Sequence, residues 1–513
     1  MSVARLAKTG ASLLSGQGIL VLTQLLLPPL FISHYGVARY GEWLTLAAAA
    51  QYLGTLNFGL HNFANNHVTI AYNRGDMDEV NVIQATSFAI VLGMVAIVAA
   101  LASVLFLMPV SGWLHLTISS SVACATMYLL GLQLLVRLVF GFLQNAFLVI
   151  GAFHRGSNWL NVLSIVTLAV TAALVVLRVS FVWIAASQAI TTAAFTFLVA
   201  SDLYFHAPVA FPKLQYTTRS RLMDILRPSG YFGMLFSVTF LVYQVPVVIM
   251  QRMLGPTNVV VFSITRTVYS MSRQALTSLS TALGPEITEL FGKGNWAALL
   301  RLYDLSERAV FALVPVVTLS TFLATPALMA VWVHKPALFQ FNVCVYMALI
   351  SAAAGIKEHK YQFQISINRH AEMARFLFFT YIGMVVLMVP AVMAFGISGF
   401  LALWLITEIV QILYIVKLNQ RLFKHQSDLE MTPLYRIAAM LAGGMAAAWL
   451  IATVIHGQPI LINLGVALLF GVALLAVEYP VFGLGALKDR LAARFLGRHV
   501  HQQQEEEELN PVA

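Results

Sequence analysis

Fourteen runs of about twenty mostly apolar residues follow one another along this chain, and they leave few folds open to it. They lie near 11–33, 41–63, 82–108, 119–143, 159–177, 181–201, 229–251, 259–283, 307–331, 341–360, 376–394, 397–417, 434–454 and 460–482. A run of that length crosses the hydrocarbon of a bilayer as an α-helix. In lipid every backbone amide and carbonyl must be satisfied within the protein, and a helix does this inside one segment. Composition agrees: 59% of the 513 residues are hydrophobic and 10% are charged, against about 25% charged in ordinary soluble chains. The expected fold class is an all-α polytopic membrane protein with about fourteen transmembrane helices. Arg5 and Lys8 precede a first run with no clear small-residue cleavage site, so it reads as a retained helix.

The basic residues set the orientation. With the N-terminus inside, 23 of the 30 Lys and Arg fall on the cytoplasmic side. Only Arg39, Arg178, Arg252 and Lys335 fall in outer loops. That bias predicts a multi-pass protein with both termini cytoplasmic. It also accounts for the net charge of +9 without nucleic acid as a partner. Trp43, Trp113, Trp159, Trp183, Trp296 and Trp332 fall near the ends of runs, where an aromatic belt belongs. The outer loops are short, which argues against an enzyme that needs an outer catalytic domain. Cys124 and Cys344 lie inside apolar runs and read as small buried hydrophobes.

An internal repeat divides the chain. Tyr35-Gly36 and Arg74-Gly75-Asp76 follow the first and second runs, and Leu254-Gly255 and Lys293-Gly294-Asn295 follow the seventh and eighth. One offset, 219 residues, relates both glycine pairs. Six helices per half give the halves the same orientation, so the expected plan is two six-helix bundles. A pseudo-two-fold along the membrane normal relates them, with two C-terminal helices in addition. The expected boundaries are 1–205 for the first bundle, 206–228 for a basic cytoplasmic linker, 229–428 for the second bundle, 429–487 for the last two helices and 488–513 for a disordered cytoplasmic tail carrying Glu505 to Glu508.

The stretches Tyr35-Gly36-Val37-Ala38-Arg39-Tyr40-Gly41-Glu42-Trp43, Leu56-Asn57-Phe58-Gly59-Leu60 and Tyr72-Asn73-Arg74-Gly75-Asp76 resemble the N-terminal pattern of Wzx-type polysaccharide flippases. Leu283-Gly284-Pro285-Glu286-Ile287, ending at Lys293-Gly294-Asn295, resembles the matching segment of that family's second half. The family belongs to the multidrug/oligosaccharidyl-lipid/polysaccharide exporter superfamily. The resemblance implies two bundles around a central cavity that opens alternately to each side. The implied cargo is an undecaprenyl-pyrophosphate-linked oligosaccharide, such as an O-antigen, exopolysaccharide or capsule repeat unit, moved from the inner to the outer leaflet of a bacterial inner membrane. Membrane lipids, a glycan polymerase and a chain-length regulator are the partners it brings with it. Cation-coupled drug exporters of the superfamily often carry an acidic residue on the first helix; here that run has only Gln17 and Gln24.

Several side chains are unusual for lipid. Arg266 and Arg273 lie seven residues, two helical turns, apart and so share a face with Ser270, Thr277 and Ser280. An arginine at the centre of a bilayer costs about 2.5–3.5 kcal/mol even on the lenient insertion scale. The guanidinium fork suits pyrophosphate oxygens; the competing role is pairing with a buried carboxylate, Glu408 or Glu478. Arg137, on a stripe with Gln133, Gly141 and Gln144, either meets a pyrophosphate near the inner leaflet or snorkels to the interface. Asn57, His61 and Asn65 form a polar stripe on the second run, for sugar hydroxyls or for helix–helix hydrogen bonds. Tyr243, Gln244 and Gln251 are a similar case on the seventh. Glu408 is a candidate for cation or proton coupling. Lys357, Glu358, His359 and Lys360 read as an interfacial charge cluster.

Flipping breaks no bond, and the sequence holds no P-loop, metal-ligand cluster or G-x-S-x-G. The expectation is a transporter, not an enzyme, with no cofactor and no metal. A cation-coupled multidrug exporter and a membrane-embedded glycan ligase or polymerase are the alternative readings.

Overall fold

In the computed structural model the described residues are 3–53, 67–68, 71–72, 74–221, 237–367, 369–423, 432–455 and 458–482. The helices are α1 Val3–Ala50, α2 Met77–Ala102, α3 Ser120–Ala146, α4 Phe153–Val176, α5 Phe181–His206, α6 Val245–Leu254, α7 Pro256–Ala282, α8 Gly284–Gly292, α9 Trp296–Trp332, α10 Phe341–Ser366, α11 Ala371–Leu422, α12 Thr432–Ile455 and α13 Ile460–Val481. Asn57, His61 and Asn65, the later part of the linker and the Glu505 to Glu508 tail lie outside the described residues.

Eleven helices among the described residues are long and apolar enough to cross a membrane. Two of them are each a pair of spans. α1 bends at Gly36 (φ 82°, ψ 167°) and α11 at Gly396 (φ 60°, ψ −147°), in a region of backbone space that only glycine enters readily. The 41–63 run is seen only as far as residue 53. α7 is not among the eleven, although its 27 residues measure about 40 Å at 1.5 Å per residue. It is too polar, and that is its importance. Each of the fourteen expected runs thus meets a helix over its described residues, 41–53 of the second run and 237–251 of the seventh among them. The outward faces stay apolar, with Leu107, Phe197, Phe205, Met393, Val454 and Leu461 largely exposed, as lipid-facing surface requires.

The 219-residue repeat is reproduced bond by bond. After α1, Asp76 N donates to Ala71 O, Met77 N to Gly75 O and Val80 N to Asp76 O. After α7 and α8, Asn295 N donates to Leu290 O, Trp296 N to Gly294 O and Leu299 N to Asn295 O. Gly75 (φ 78°) and Gly294 (φ 66°) supply the left-handed residue of a helix-closing turn. The next residue then caps the following helix: Asp76 accepts from Glu79 N at 3.0 Å and Asn295 from Ala298 N at 3.1 Å. Gly36 and Gly255 also match, at φ 82°, ψ 167° and φ 81°, ψ 173°.

The chain forms two compact units. One comprises Met1–Ile264, Trp332–Leu338 and Ala374–Leu403. Its core joins Val80 and Ile83 of α2, Phe140, Leu143 and Ala146 of α3, Leu163 of α4 and Val199 and Leu203 of α5. Residues just after α5, expected as linker, pack onto this unit. Ala207 and Ala210 enter the core, Gln84 donates to the Ala210 carbonyl, Thr218 N donates to Thr86 Oγ1 at 3.2 Å, and Arg221 pairs with Glu79.

The second unit comprises Thr265–Val331, Phe339–Met373 and Trp404–Ala513. Leu276 of α7, Phe311 and Val314 of α9, Ala352 and Ile356 of α10, and Ile412 and Val416 of α11 build its core. The last two helices share that core through Ile437, Leu441, Leu474 and Phe482. Glycines permit the close fit. A Cβ at Gly444 would lie 2.4 Å from Leu319, and one at Gly471 would lie 2.5 Å from the Ser320 hydroxyl.

Candidate functional site

Helix α7 carries two arginines and no acidic residue. Its first half is the more buried. Val259, Val260, Val261, Phe262, Ile264, Val268, Tyr269 and Leu276 are buried, whereas Arg266, Ser270, Arg273 and Thr277 are half-buried along one stripe. The stripe has the expected helical spacing. Ser280, expected to prolong it, is instead buried, with no partner for its hydroxyl among the described residues; the exposed Thr281 takes the next place.

Tyr243 and Gln244 are both half-buried and sit where the helical path is interrupted, at Gln244, before α6 begins. Pro246, in the first turn of α6, removes a donor there. Gln251, grouped with them in the sequence, serves the fold instead. It is fully buried, accepts from Thr45 Oγ1 at 3.2 Å and donates to the Leu114 carbonyl at 3.3 Å.

The N-terminal unit holds a half-open cavity of about 420 Å³ among α1, α3, α4 and α5. Its walls are mixed. Leu13, Leu20, Leu27 and Leu168 supply apolar surface. Gln17 and Thr23 come from α1, Asn161, Ser164, Thr167 and Thr171 from α4, and Gln188 from α5. Asn161 donates to the Ser12 carbonyl at 2.8 Å, and Gln188 donates to Thr171 at 3.1 Å. Arg137 of α3 is the cavity's one charged wall residue among those described. Gln133 and Gln144, which share its sequence stripe, are not wall residues. Gln144 instead lies at the α3–α4 contact, where a Cβ on Gly156 would come within 2.2 Å of its carbonyl.

The C-terminal unit holds charges that sequence reasoning misplaced. Lys360 is not interfacial: it is 1% exposed. Its ammonium pairs with Glu307 of α9, donates to the Tyr303 hydroxyl at 3.1 Å, and lies 5.2 Å from the Phe311 ring centroid. Lys357, one turn earlier, pairs with Glu408 of α11 at 2.5 Å and donates to Gln411 at 2.9 Å. Trp404 also donates to Glu408, at 3.0 Å. His359 is buried with Nε2 2.8 Å from Ser306 Oγ. Gln364 donates to Asn419 at 2.7 Å, and Asn419 donates to the Lys360 carbonyl at 3.2 Å. The two lysines satisfy carboxylates on the flanking helices, because an unpaired ion in such a site is far costlier than a paired one. Glu307 was the overlooked partner; an acidic residue facing a basic one across adjacent runs was its only sequence signal. Glu478 is fully buried, and its carboxylate oxygens have no partner among the described residues.

The aromatic motif after the first run serves packing. Phe31 lies against Tyr35, Tyr40 and Trp43 with ring centroids 5.2–5.8 Å apart. Trp43 is therefore 7% exposed and not part of an interfacial belt. Glu42 is buried and accepts from the Thr117 amide.

No metal-binding group of His, Cys, Asp and Glu occurs among the described residues, and both cysteines are buried and free. No protein-family profile matches the sequence, and no curated protein sequence matches it. Solved structures do match the fold. A lipid II flippase, MurJ, in an inward closed conformation shares it with a TM-score of 0.68 at 10% identity, over 95% of this chain and 100% of that one. An inward-facing multidrug resistance MATE family transporter of the MOP superfamily shares it at 0.61 and 13% identity, over 79% and 99%. The MATE multidrug transporter DinF-BH shares it at 0.56 and 14% identity, over 82% and 95%. The chain has the fold of MOP-superfamily transporters.

Proposed function

We propose that this chain is a flippase for an anionic lipid-linked glycan, an undecaprenyl-pyrophosphate-linked oligosaccharide carried from the inner to the outer leaflet of a bacterial inner membrane. One observation carries the reading: a helix long enough to span, α7, carries Arg266 and Arg273, half-buried and two turns apart, and holds no acidic residue. Such a helix is stable in a membrane only where the stripe meets protein or water. A guanidinium pair there attracts an anion and orients its oxygens through forked donors. The hydrophilic cargo then crosses along polar surface while its lipid tail stays in hydrocarbon. One protein that shares the fold is a lipid II flippase, which fits a lipid-linked cargo.

Alternating access supplies the movement, with both termini cytoplasmic. Tyr243 and Gln244, together with Asn57, His61 and Asn65, are the side chains assigned to cargo contact beside the arginine pair, whereas Arg137 lines the cavity of the N-terminal unit. Glu408 keeps its role as coupling candidate, now as the partner of Lys357. The superfamily fold also serves drug export, and a cation-coupled exporter of cationic drugs is the outcome that would replace this reading. The cationic stripe and the lack of an acid on the first run speak against it.

Deletion of the gene is expected to trap lipid-linked oligosaccharide on the cytoplasmic face and to remove surface polysaccharide. Restoration by the wild-type gene and not by Arg273→Glu, at equal protein level, supports the assignment. Normal surface glycan in the deletion strain, with no second flippase present, refutes it. Altered drug susceptibility with normal glycan would point to the exporter.

A further inference from the structure

The cavity in the N-terminal unit has the chemistry of a site. Its charge comes from Arg137, and no carboxylate lines it among the described residues. Arg137 makes no hydrogen bond or ion pair with any described residue, and neither does the Thr167 hydroxyl. The Ser157 hydroxyl is in the same position, whereas several other polar wall groups are already tied. Asn161 holds the Ser12 carbonyl, Ser164 holds the Leu160 carbonyl, and Gln188 holds Thr171 while keeping its second amide hydrogen. Unused donors, Arg137 the cationic one among them, therefore line a half-open cavity of about 420 Å³. That is the low end of small-molecule pockets, about 300–1,000 Å³. It accommodates a phosphate with one sugar-sized polyol.

An arginine within a spanning helix without a counter-charge is costly, and a bound anion removes the cost. We propose that the N-terminal unit carries an anion site of its own, in which Arg137 and Thr167 hold the phosphate of a small headgroup and the Gln188 amide meets an adjoining hydroxyl. The site does not depend on the arginines of α7, and it stands whether or not the chain flips a glycan. The same chemistry comes from two sources, a phospholipid such as phosphatidylglycerol or a free phosphate.

The full chain, purified in detergent, answers this in two arms. Native mass spectrometry counts phosphatidylglycerol retained against phosphatidylcholine. Equilibrium binding of radiolabelled inorganic phosphate is measured on the protein in phosphatidylcholine nanodiscs. One retained phosphatidylglycerol, or one saturable phosphate, is expected. Arg137→Gln should weaken that binding by about 10- to 100-fold, the worth of a charge-assisted hydrogen bond. Arg137→Lys should retain part of it, and Thr167→Val should weaken it several-fold without changing the charge. Arg273→Gln should leave it in place, which separates this site from the transport reading. Thr167→Val and Arg137→Lys keep the test open if Arg137→Gln does not fold. Binding in neither arm overturns the proposal, as does binding that Arg273→Gln abolishes and the Arg137 and Thr167 variants leave intact.

Discussion

Replacing Lys360 by methionine is the sharpest test of how the C-terminal unit is held. The ammonium is 1% exposed and is shared among Glu307, the Tyr303 hydroxyl and the rings of Tyr303 and Phe311. Methionine keeps the length of the stem, so packing changes little. What is lost is the charge, and Glu307 is left as a carboxylate in an interior that cannot solvate it. Removing one partner of a buried pair costs about 3–5 kcal/mol. At about 2–4 °C per kcal/mol for a unit of this size, Tm falls by on the order of 10 °C. The double variant Lys360→Met with Glu307→Leu removes both ions and should recover most of that loss, because apolar replacements of buried pairs are often neutral or stabilising. Lys293→Ala is the control: its pair with Glu289 is exposed and should leave Tm where it was. Thermal unfolding of the purified chain in one detergent measures all four proteins. A single variant that melts with the wild type, or a double variant as unstable as the single, refutes the account of a paired ion.

Other expectations follow from particular contacts. Gly41→Ala places a Cβ 2.3 Å from the Pro256 carbonyl; about 1–3 kcal/mol of stability should be lost, read as a lower Tm. Gly255→Ala meets open space but a φ of +81°, so its loss of about 1–3 kcal/mol should come from the backbone alone. Asp202→Ala removes the acceptor for Arg155 at 2.8 Å and Trp159 at 2.8 Å, and faster proteolysis near the end of α5 is expected. Arg273→Glu should abolish transport while the protein still inserts, and Arg273→Lys should retain part of it; normal transport by Arg273→Ala would remove the anion-binding role.

Periodicity and run length made the helices legible. A span must be apolar for about twenty residues, so the runs meet helices wherever they are described, and Arg266, Ser270, Arg273 and Thr277 of α7 are all half-buried. The repeat was legible too, because a positive-φ glycine followed by a capping residue leaves a two-letter mark. Ser280 and Gln251 show where this stops. Both have helical spacing from polar neighbours, yet both are buried, which no local pattern records.

The sequence by itself determined that this chain is an all-helical membrane protein of about fourteen spans, where its repeated glycine turns fall and that α7 is cationic. These are local properties, set by how each segment meets lipid and satisfies its own backbone. Tertiary structure alone decided the pairing of charges. Lys357 and Lys360 lie beside Glu408 and Glu307 only because α9, α10 and α11 pack together. Arg137 lines a cavity without a carboxylate only because α1, α3, α4 and α5 form one. The energy of a buried charge depends on what lies within a few ångströms of it, and that distance is set by helices far apart along the chain.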